Sequence, residues 1–467
     1  MSRARAMASS SSISALLSPP TSALFSSKSK ISSLSFNKIQ PFFFFKQKPI
    51  TPSTISAAAA NSTFILHELG LSESQIDLLF QTHPQIELSS TESLNRRISQ
   101  LRSLRITESA ISRRPEILTS PEFDPLLDFI QKHLVGEIQQ EKLERLLIST
   151  NPSNSIERIH LLLERGIPEE KLAHVINSVN VGKVFDGMQI RELEEVLLFL
   201  QRFGSPEIIL RRPAILNLDL QTQLIPRINF LIDLADGEES AAATLIRKLP
   251  GILAYTVSHF RSHLNFWTSI GLTREQILKM ALVYPNIFSV SKERKLKPRI
   301  EFLTQCSLNT EEIFKFLIKA PTFLSLSFEK NLSKKLGFLI KIGYKHQTKE
   351  LAIALGSVTR TSCKNLQMVV SLFLSYGFSC EDLLKMSKKH PQILQYNWVS
   401  LEKKMEFLIE EMERDVGELM GFPAFLGYKL DDRIKHRYEM KKESRGKGMS
   451  LNKLLSVSTK RFNLKME

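Results

Sequence analysis

The sequence predicts an all-α protein, a solenoid of about ten repeats, each with two α-helices, one on either side of a proline-marked break. Three observations predict this fold class. A basic phrase recurs every 36 residues, a proline phrase keeps a similar period, and glycine turns precede helix-capping residues. A fixed period of about 20–50 residues is typical of stacked helical repeats. With 467 residues and 42% hydrophobic content, the chain can bury one continuous core.

The basic phrase reads Leu-x-x-Arg/Lys-apolar-x-Phe-Leu and places a cation where an apolar residue would be expected. Its clear copies hold Arg227, Arg299, Lys335 and Lys404, and its weaker copies hold Arg97, Arg158, His263 and Arg433. From Arg227 the successive steps are 36, 36, 36 and 69 residues. One positive group per repeat is an arrangement by which a solenoid could follow a polyanion.

The proline phrase marks a break in the middle of each unit. Each proline is followed two residues later by Ile or Phe and usually then by another apolar residue, at Pro115, Pro213, Pro250, Pro285, Pro321, Pro391 and Pro423. The later spacings are 37, 35, 36, 70 and 32 residues, so a unit without proline lies between Pro321 and Pro391. Because proline has no N–H for the helix ladder, it ends the first helix of the unit.

Glycine turns mark where one unit passes to the next. Gly70, Gly271 and Gly377 occupy positions that favour a positive φ after a helix. A Ser or Thr follows two residues later, and a partner three residues beyond it completes or approximates a capping box, as in Thr273 and Gln276. For the unit that starts at Thr310, these rules predict a helix over residues 311–319, a short irregular or 3₁₀ piece over 322–327, and a second helix over 328–342.

The repeated Pro-x-Ile/Phe-Leu phrase resembles the mitochondrial transcription termination factor (mTERF) family over roughly residues 64–440. The resemblance implies repeats of two α-helices and a 3₁₀ helix that form a curved superhelix. It also implies nucleic-acid binding inside an organelle.

Composition divides the chain into three predicted segments. Residues 1–60 contain no Asp or Glu and are dominated by Ser, Ala and Pro, which predicts a disordered transit peptide. Abundant Ser with few Arg favours the chloroplast, with the mitochondrion as the alternative. Residues 61–428 form the repeat array, and residues 429–467 form a basic C-terminal helix and tail.

Positive charge is concentrated in the C-terminal half of the chain. Residues 61–285 carry 23 basic and 28 acidic side chains, a net charge of −5. Residues 286–349 carry 13 basic and 5 acidic side chains, a net charge of +8. Residues 350–428 have a net charge of −2, from 8 basic and 10 acidic side chains, and residues 429–467 have a net charge of +7, from 12 basic and 5 acidic side chains. A local excess of positive charge is the electrostatic footprint expected of a phosphate-binding surface.

Two interpretations of the recurring cation stay open. On a helical wheel Arg299 falls between Phe302 and Leu303, at the edge of the apolar arc. The side chain therefore either reaches into a groove or pairs with a neighbouring repeat. The groove interpretation, extended to nearby cations, gives these candidate nucleic-acid contacts: Arg227, Arg299, Lys335, Lys404, Arg433, Arg294, Lys295, Lys297, Lys334, Lys403, Lys435 and Arg437.

A second basic set lies just before the prolines. It comprises Arg113, Arg114, Arg211, Arg212, Lys248, Lys319, Lys388 and Lys389. Cations in the last turn of a helix offset its macrodipole, which is the simplest interpretation of this set.

The predicted function is nucleic-acid binding that controls chloroplast transcription termination or transcript maturation. The predicted partner is double-stranded DNA or RNA, with the plastid transcription machinery as an additional partner. The alternative is a protein-binding scaffold in a plastid transcription or nucleoid complex. We expect a monomer with no cofactor, no metal and no membrane span, and not an enzyme, since the sequence shows no catalytic or metal-ligand signature.

Overall fold

The structure is a computed structural model that describes residues 57–442, 449–458 and 462. Its regular elements in that part of the chain are helices, without a strand. The α-helices are α1 Ala57–Glu68, α2 Glu73–Thr82, α3 Pro84–Leu88, α4 Thr91–Ser103, α5 Glu108–Arg113, α6 Asp124–His133, α7 Gln140–Ile148, α8 Pro152–Glu164, α9 Glu169–Ser178, α10 Ile190–Gln201, α11 Glu207–Arg211, α12 Ile225–Leu234, α13 Glu239–Lys248, α14 Val257–Ser269, α15 Arg274–Val283, α16 Lys297–Gln305, α17 Thr310–Lys319, α18 Ser333–Ile342, α19 Lys349–Ser357, α20 Cys363–Ser375, α21 Cys380–Lys389, α22 Trp398–Glu406, α23 Glu418–Gly421, α24 His436–Lys442 and α25 Leu451–Leu455.

Short 3₁₀ helices separate the two α-helices of most units, as the proline phrase predicts. They span Pro115–Leu118, Pro121–Phe123, Pro213–Asn217, Pro250–Ala254, Pro285–Phe288, Pro321–Leu324, Val358–Arg360, Pro391–Leu394 and Pro423–Gly427. The unit predicted to lack a proline is present, and Val358–Arg360 is its 3₁₀ segment. The transit peptide predicted for residues 1–60 falls almost wholly outside the described residues, so that segment stays a prediction.

The junctions between units have the predicted capping geometry. Gly271 has φ +94°, and the Thr273 hydroxyl accepts from the Gln276 N–H while the Gln276 side chain accepts from the Thr273 N–H. The same reciprocal cap occurs at Ser379 and Asp382. The left-handed residue ends one helix and the cap satisfies the open N–H groups of the next.

Several second helices contain a wider π-type turn that the sequence reasoning did not predict. These turns span Lys183–Gly187, Leu220–Leu224, Lys292–Leu296, Phe328–Leu332, Phe407–Glu411 and Leu430–Lys435. Where the turn opens the helix, as before α16 and α18, Ser291 and Ser327 cap it by accepting a backbone N–H three residues later. The helix predicted over residues 328–342 is thus a π turn followed by α18.

The units stack in chain order around one apolar core. First helices contact the first helices of neighbouring units, as α15 contacts α13 and α17, and second helices do the same, as α18 contacts α20. Leu303 and Leu339 are fully buried, and so is Trp267. Trp398 is half-buried. The all-α helical-repeat prediction is confirmed.

Truncation of a core leucine tests this packing. Leu339→Ala removes apolar side-chain volume from a fully buried site, so the free energy of unfolding should fall by about 2–5 kcal/mol. Leu374→Ala, at a position that is 46% exposed, is the matched control and should have little effect. Chemical denaturation followed by circular dichroism measures both, and equal losses in the two variants would contradict the packing described.

Candidate nucleic-acid interface

The recurring cations of the basic phrase are buried between neighbouring units. Arg227 and Arg299 are each 7% exposed, Lys404 is 8% exposed, and Lys335 is 0% exposed. Each side chain leaves a second helix and points toward the 3₁₀ segment of the following unit. We call the buried cations of this position, including Arg97, the cation column.

The charged groups of the cation column donate to backbone carbonyl oxygens at or just beyond the 3₁₀ segment of the next unit. Their bonds join Arg97 Nη1 to Ile117 O (2.7 Å), Arg227 Nη1 to Leu253 O (2.6 Å), Arg299 Nε to Phe323 O (2.8 Å), Lys335 Nζ to Thr359 O (3.2 Å) and Lys404 Nζ to Leu426 O (2.7 Å). These are carbonyls that a helix end leaves without an N–H partner.

This placement favours the structural interpretation of the column over contact with phosphate. Burial lowers the pKa of Lys335 and of Lys404, because the charged ammonium loses solvation. Hydrogen bonds to charged donors partly offset that cost. The column therefore fixes how one unit sits on the next, and its charged groups are not open to a phosphate.

The cations before the prolines make a second set of inter-unit bonds. A proline leaves carbonyls of the preceding turn open because it has no N–H. The carbonyl three residues before a proline accepts from such a cation of the preceding unit in three cases: Arg247 from Arg211, Leu282 from Lys248 and Met420 from Lys389. The Leu210 carbonyl has the same position and accepts from His174, which does not precede a proline. These side chains thus do more than offset the macrodipole of their own helix, as they cap the helix beside it.

The C-terminal basic segment repeats this arrangement. Arg437 is 2% exposed, and its Nη1 donates to Val457 O at 2.8 Å. Arg433 is half-buried and donates to Leu455 O at 2.7 Å. Both guanidinium groups hold the end of α25, so part of the predicted tail is packed helix. The boundary predicted at residue 429 is not tested by these contacts.

The remaining candidates are more accessible. Arg294, Lys297, Lys334 and Lys403 are exposed and their side chains make no hydrogen bond among the described residues. Lys295 is half-buried and donates to Ser325 O (3.0 Å), and Lys435 pairs with Asp431 (2.8 Å). Arg294 lies just before α16, Lys297 and Lys334 lie in the first turns of α16 and α18, and Lys403 lies in the last turn of α22. These four exposed side chains can meet a polyanion without breaking an existing hydrogen bond.

Comparison with known proteins gives the family. The sequence pattern of the mTERF family matches residues 64–307 and 295–463. The chain belongs to the mTERF family. This confirms the resemblance seen in the proline phrase and, with it, the helical-repeat fold.

Relatives of this mTERF chain come from two plant organelles. It is 47% identical over 436 residues to the transcription termination factor MTERF8, chloroplastic, of Arabidopsis thaliana, covering 91% of this chain and 87% of the relative. It is 24% identical over 253 residues to the transcription termination factor MTERF15, mitochondrial, of Arabidopsis thaliana, covering 48% and 51%. A 98-residue stretch is 36% identical to the transcription termination factor MTERF4, chloroplastic, of Oryza sativa subsp. japonica, covering 21% and 19%.

The predicted chloroplast location agrees with the relative that aligns over most of this mTERF chain. Within the described part of the chain, no helix is both long and apolar enough to cross a membrane.

Charge removal in the cation column should unfold the array. In the variant Arg299→Gln/Lys335→Gln/Lys404→Gln, each shorter neutral side chain falls short of its carbonyl, and each lost charged bond should cost about 1.5–3 kcal/mol. The control Arg294→Gln/Lys334→Gln/Lys403→Gln removes three neighbouring exposed charges and should unfold near the wild-type temperature. Differential scanning calorimetry compares the two, and an unchanged transition in the first variant would refute the structural role.

His263 should make stability depend on pH. It takes the column position in α14, and its ring nitrogens lie 3.1 Å from the carbonyl oxygens of Val290 and His259. Burial lowers its pKa below 6.5, and the nearby His259 and Lys292 act in the same direction, against the two carbonyls. The unfolded chain therefore binds this proton more readily, so stability falls as the pH drops below about 6.5.

The measurement for His263 is the melting temperature at pH 7.5 and at pH 5.5. His263→Gln should lose part of the decrease that wild type shows between these values. His346→Gln, which changes an exposed histidine, should keep the wild-type decrease. A His263→Gln variant with the full wild-type decrease would show that this imidazole does not set the pH response.

Proposed function

We propose that this mTERF protein binds nucleic acid in the chloroplast and controls transcription termination or transcript maturation there. The Arabidopsis thaliana relative that aligns with 91% of the chain is named as a chloroplastic transcription termination factor. Residues 1–60 would act as its transit peptide. The protein needs no catalysis for this role, because a bound array can act as a clamp or as a roadblock.

The observation that carries this proposal is a set of exposed cations near the starts of α16 and α18 and in the last turn of α22. The set consists of Arg294, Lys297, Lys334 and Lys403. Residues 286–349, which supply three of these side chains, carry +8. Cations that are free of internal partners can release counterions from a phosphate backbone, which gives a salt-dependent affinity.

The buried column has a different part in this proposal. Arg299, Lys335 and Lys404 contribute to the net charge but are withheld from solvent by their carbonyl partners. They hold successive units at a fixed spacing, and the exposed cations then meet phosphates at the spacing that the array sets. Phosphate contacts position a protein, so selectivity for a sequence has to come from other side chains.

A protein-binding scaffold is the competing function. Scaffold surfaces present large apolar anchors. The large exposed apolar side chains here are spread over separate helices, as Leu198, Leu374 and Ile409 show. Scattered single apolar residues are ordinary on a protein surface. The described surface therefore favours a polyanion over a protein partner.

Salt-dependent binding tests the proposal. The variant Arg294→Gln/Lys297→Gln/Lys334→Gln/Lys403→Gln should bind duplex DNA and single-stranded RNA of mixed sequence more weakly than wild type. The slope of log affinity against log salt should fall by about one unit per lost duplex contact. Fluorescence anisotropy over a salt series measures affinity and slope.

The matched control removes four exposed cations from the acid-rich half of the chain. Arg96→Gln/Lys132→Gln/Lys171→Gln/Arg191→Gln changes the net charge by the same amount at sites without side-chain hydrogen bonds. It should keep most of the wild-type affinity. Equal losses in the two quadruple variants would mean that net charge alone, and not this surface, determines binding.

A further inference from the structure

The unit without a proline contains a basic cavity, which we call the basic notch. It has a volume of about 590 Å³ and is formed by α17, α19, the end of α21 and two 3₁₀ segments. Its lining has five cations and one carboxylate, namely Lys315, Lys319, Lys349, Arg360, Lys389 and Glu312. Such a surplus of positive charge in a concave site favours an anionic ligand.

Two of these cations have no partner in the described structure. Lys315 pairs with Glu311 at 3.3 Å, and Lys349 pairs with Glu312 at 2.9 Å. Lys319 and Arg360 are exposed, and neither forms a hydrogen bond or an ion pair with a described residue. Both side chains line the same cavity, so their charges are available there.

Lys319 differs from two other lysines that stand two residues before a proline. Lys248 and Lys389 hold the same position relative to their prolines, and each caps a carbonyl of the next unit. After Lys319 the next helix is α19. The residue that follows α19, where other units have a proline, is Val358, which has an N–H.

Three carbonyls at the end of α19 accept hydrogen bonds from their own chain. Val358 N–H donates to the carbonyls of Ala354 and Gly356. The hydroxyl of Ser357 donates to Ile353 O at 3.0 Å, and that of Thr359 donates to Gly356 O at 2.8 Å. Lys319 makes no hydrogen bond to this helix end, and its side chain lines the cavity instead.

A close approach of two helices shapes the floor of the notch. A Cβ on Gly356 would lie 2.5 Å from the ring of Phe316, so only glycine allows α19 to pack this closely on α17. Phe316 is held in turn by Phe323, with ring centroids 5.2 Å apart. The notch is thus a fixed feature of the fold with cations at its rim.

We propose that the basic notch holds phosphate groups of a nucleic-acid backbone and fixes the strand at the unit that lacks the proline. The inference rests on the proposed function and adds a particular site to it. Lys319 and Arg360 supply the contacts, while Lys389 contributes positive charge without leaving Met420 O. Glu312 remains neutralised by Lys349.

The first test is the double variant Lys319→Gln/Arg360→Gln in the full-length protein. Its affinity for single-stranded RNA and duplex DNA of mixed sequence should fall, and the salt slope should decrease by about one to two units. Its melting temperature should stay at the wild-type value, because neither side chain has an internal partner. Lys171→Gln/Arg191→Gln removes the same charge elsewhere and is the control.

The second test locates the strand directly. A photoreactive benzoylphenylalanine placed at Gln392, which lines the notch, should crosslink to labelled RNA or DNA. The same group at Gln367, an exposed position of α20 outside the notch, should crosslink much less. Equal crosslinking at the two positions would contradict the notch as the site.

The outcomes separate the notch from the proposed function. If wild-type protein binds nucleic acid and the Lys319→Gln/Arg360→Gln variant binds it equally well, the notch proposal is wrong and the proposed function stands. Wild-type protein that binds neither RNA nor DNA would overturn both. A free phosphate compound could bind the same cations, and titration with inorganic phosphate and with adenosine monophosphate tests this alternative. Loss of that small-anion binding in the variant, with nucleic-acid affinity intact, would assign the notch to a free phosphate compound and refute our proposal.

Discussion

The array depends on one interaction, the donation of a buried cation to a backbone carbonyl in the next unit. Each unit contains a helix break, and each break leaves carbonyls that its own chain cannot satisfy. A buried carbonyl without a partner costs free energy, and so does a buried charge. The bonds from Arg299 to Phe323 O and from Lys404 to Leu426 O each give a buried carbonyl its donor and a buried charge its acceptor. Apolar packing supplies the bulk of the stability, and these bonds fix the position of one unit on the next.

This interaction also changes what the basic composition means. Most of the recurring cations are structural, since Arg227, Lys335, Lys404 and most of their equivalents are at most 8% exposed. Net charge by segment therefore overstates the surface that a polyanion can reach. The reachable surface lies beside the column, one residue away in the sequence: Lys334 is exposed next to Lys335, and Lys403 next to Lys404.

Local chemistry made much of the fold predictable. Gly271 with Thr273 and Gln276 specifies a helix end and a helix start within six residues, and the structure has both. The prolines predicted the breaks between the helices of a unit in the same local way. The π turn before α18 was not predictable, because no residue type specifies a bond to the fifth residue. The wheel placed Arg299 at the edge of the apolar arc, but its partner is a backbone oxygen, which has no sequence signature. The basic notch is lined by residues of successive units, such as Lys319, Arg360 and Lys389, so no single phrase reveals it.

Apart from the Asp124 carboxylate that also pairs with Arg97, the acceptors of the column are backbone atoms, and every residue type provides them. A unit with its cation can therefore sit before any other unit that has a helix break, whatever side chains that unit carries. Arg227 and Lys404 use the same kind of oxygen in units of different sequence. An array joined in this way can gain or lose a unit by duplication or deletion without a matching change in its neighbour. Its length is thus free to vary during evolution while the junctions stay the same.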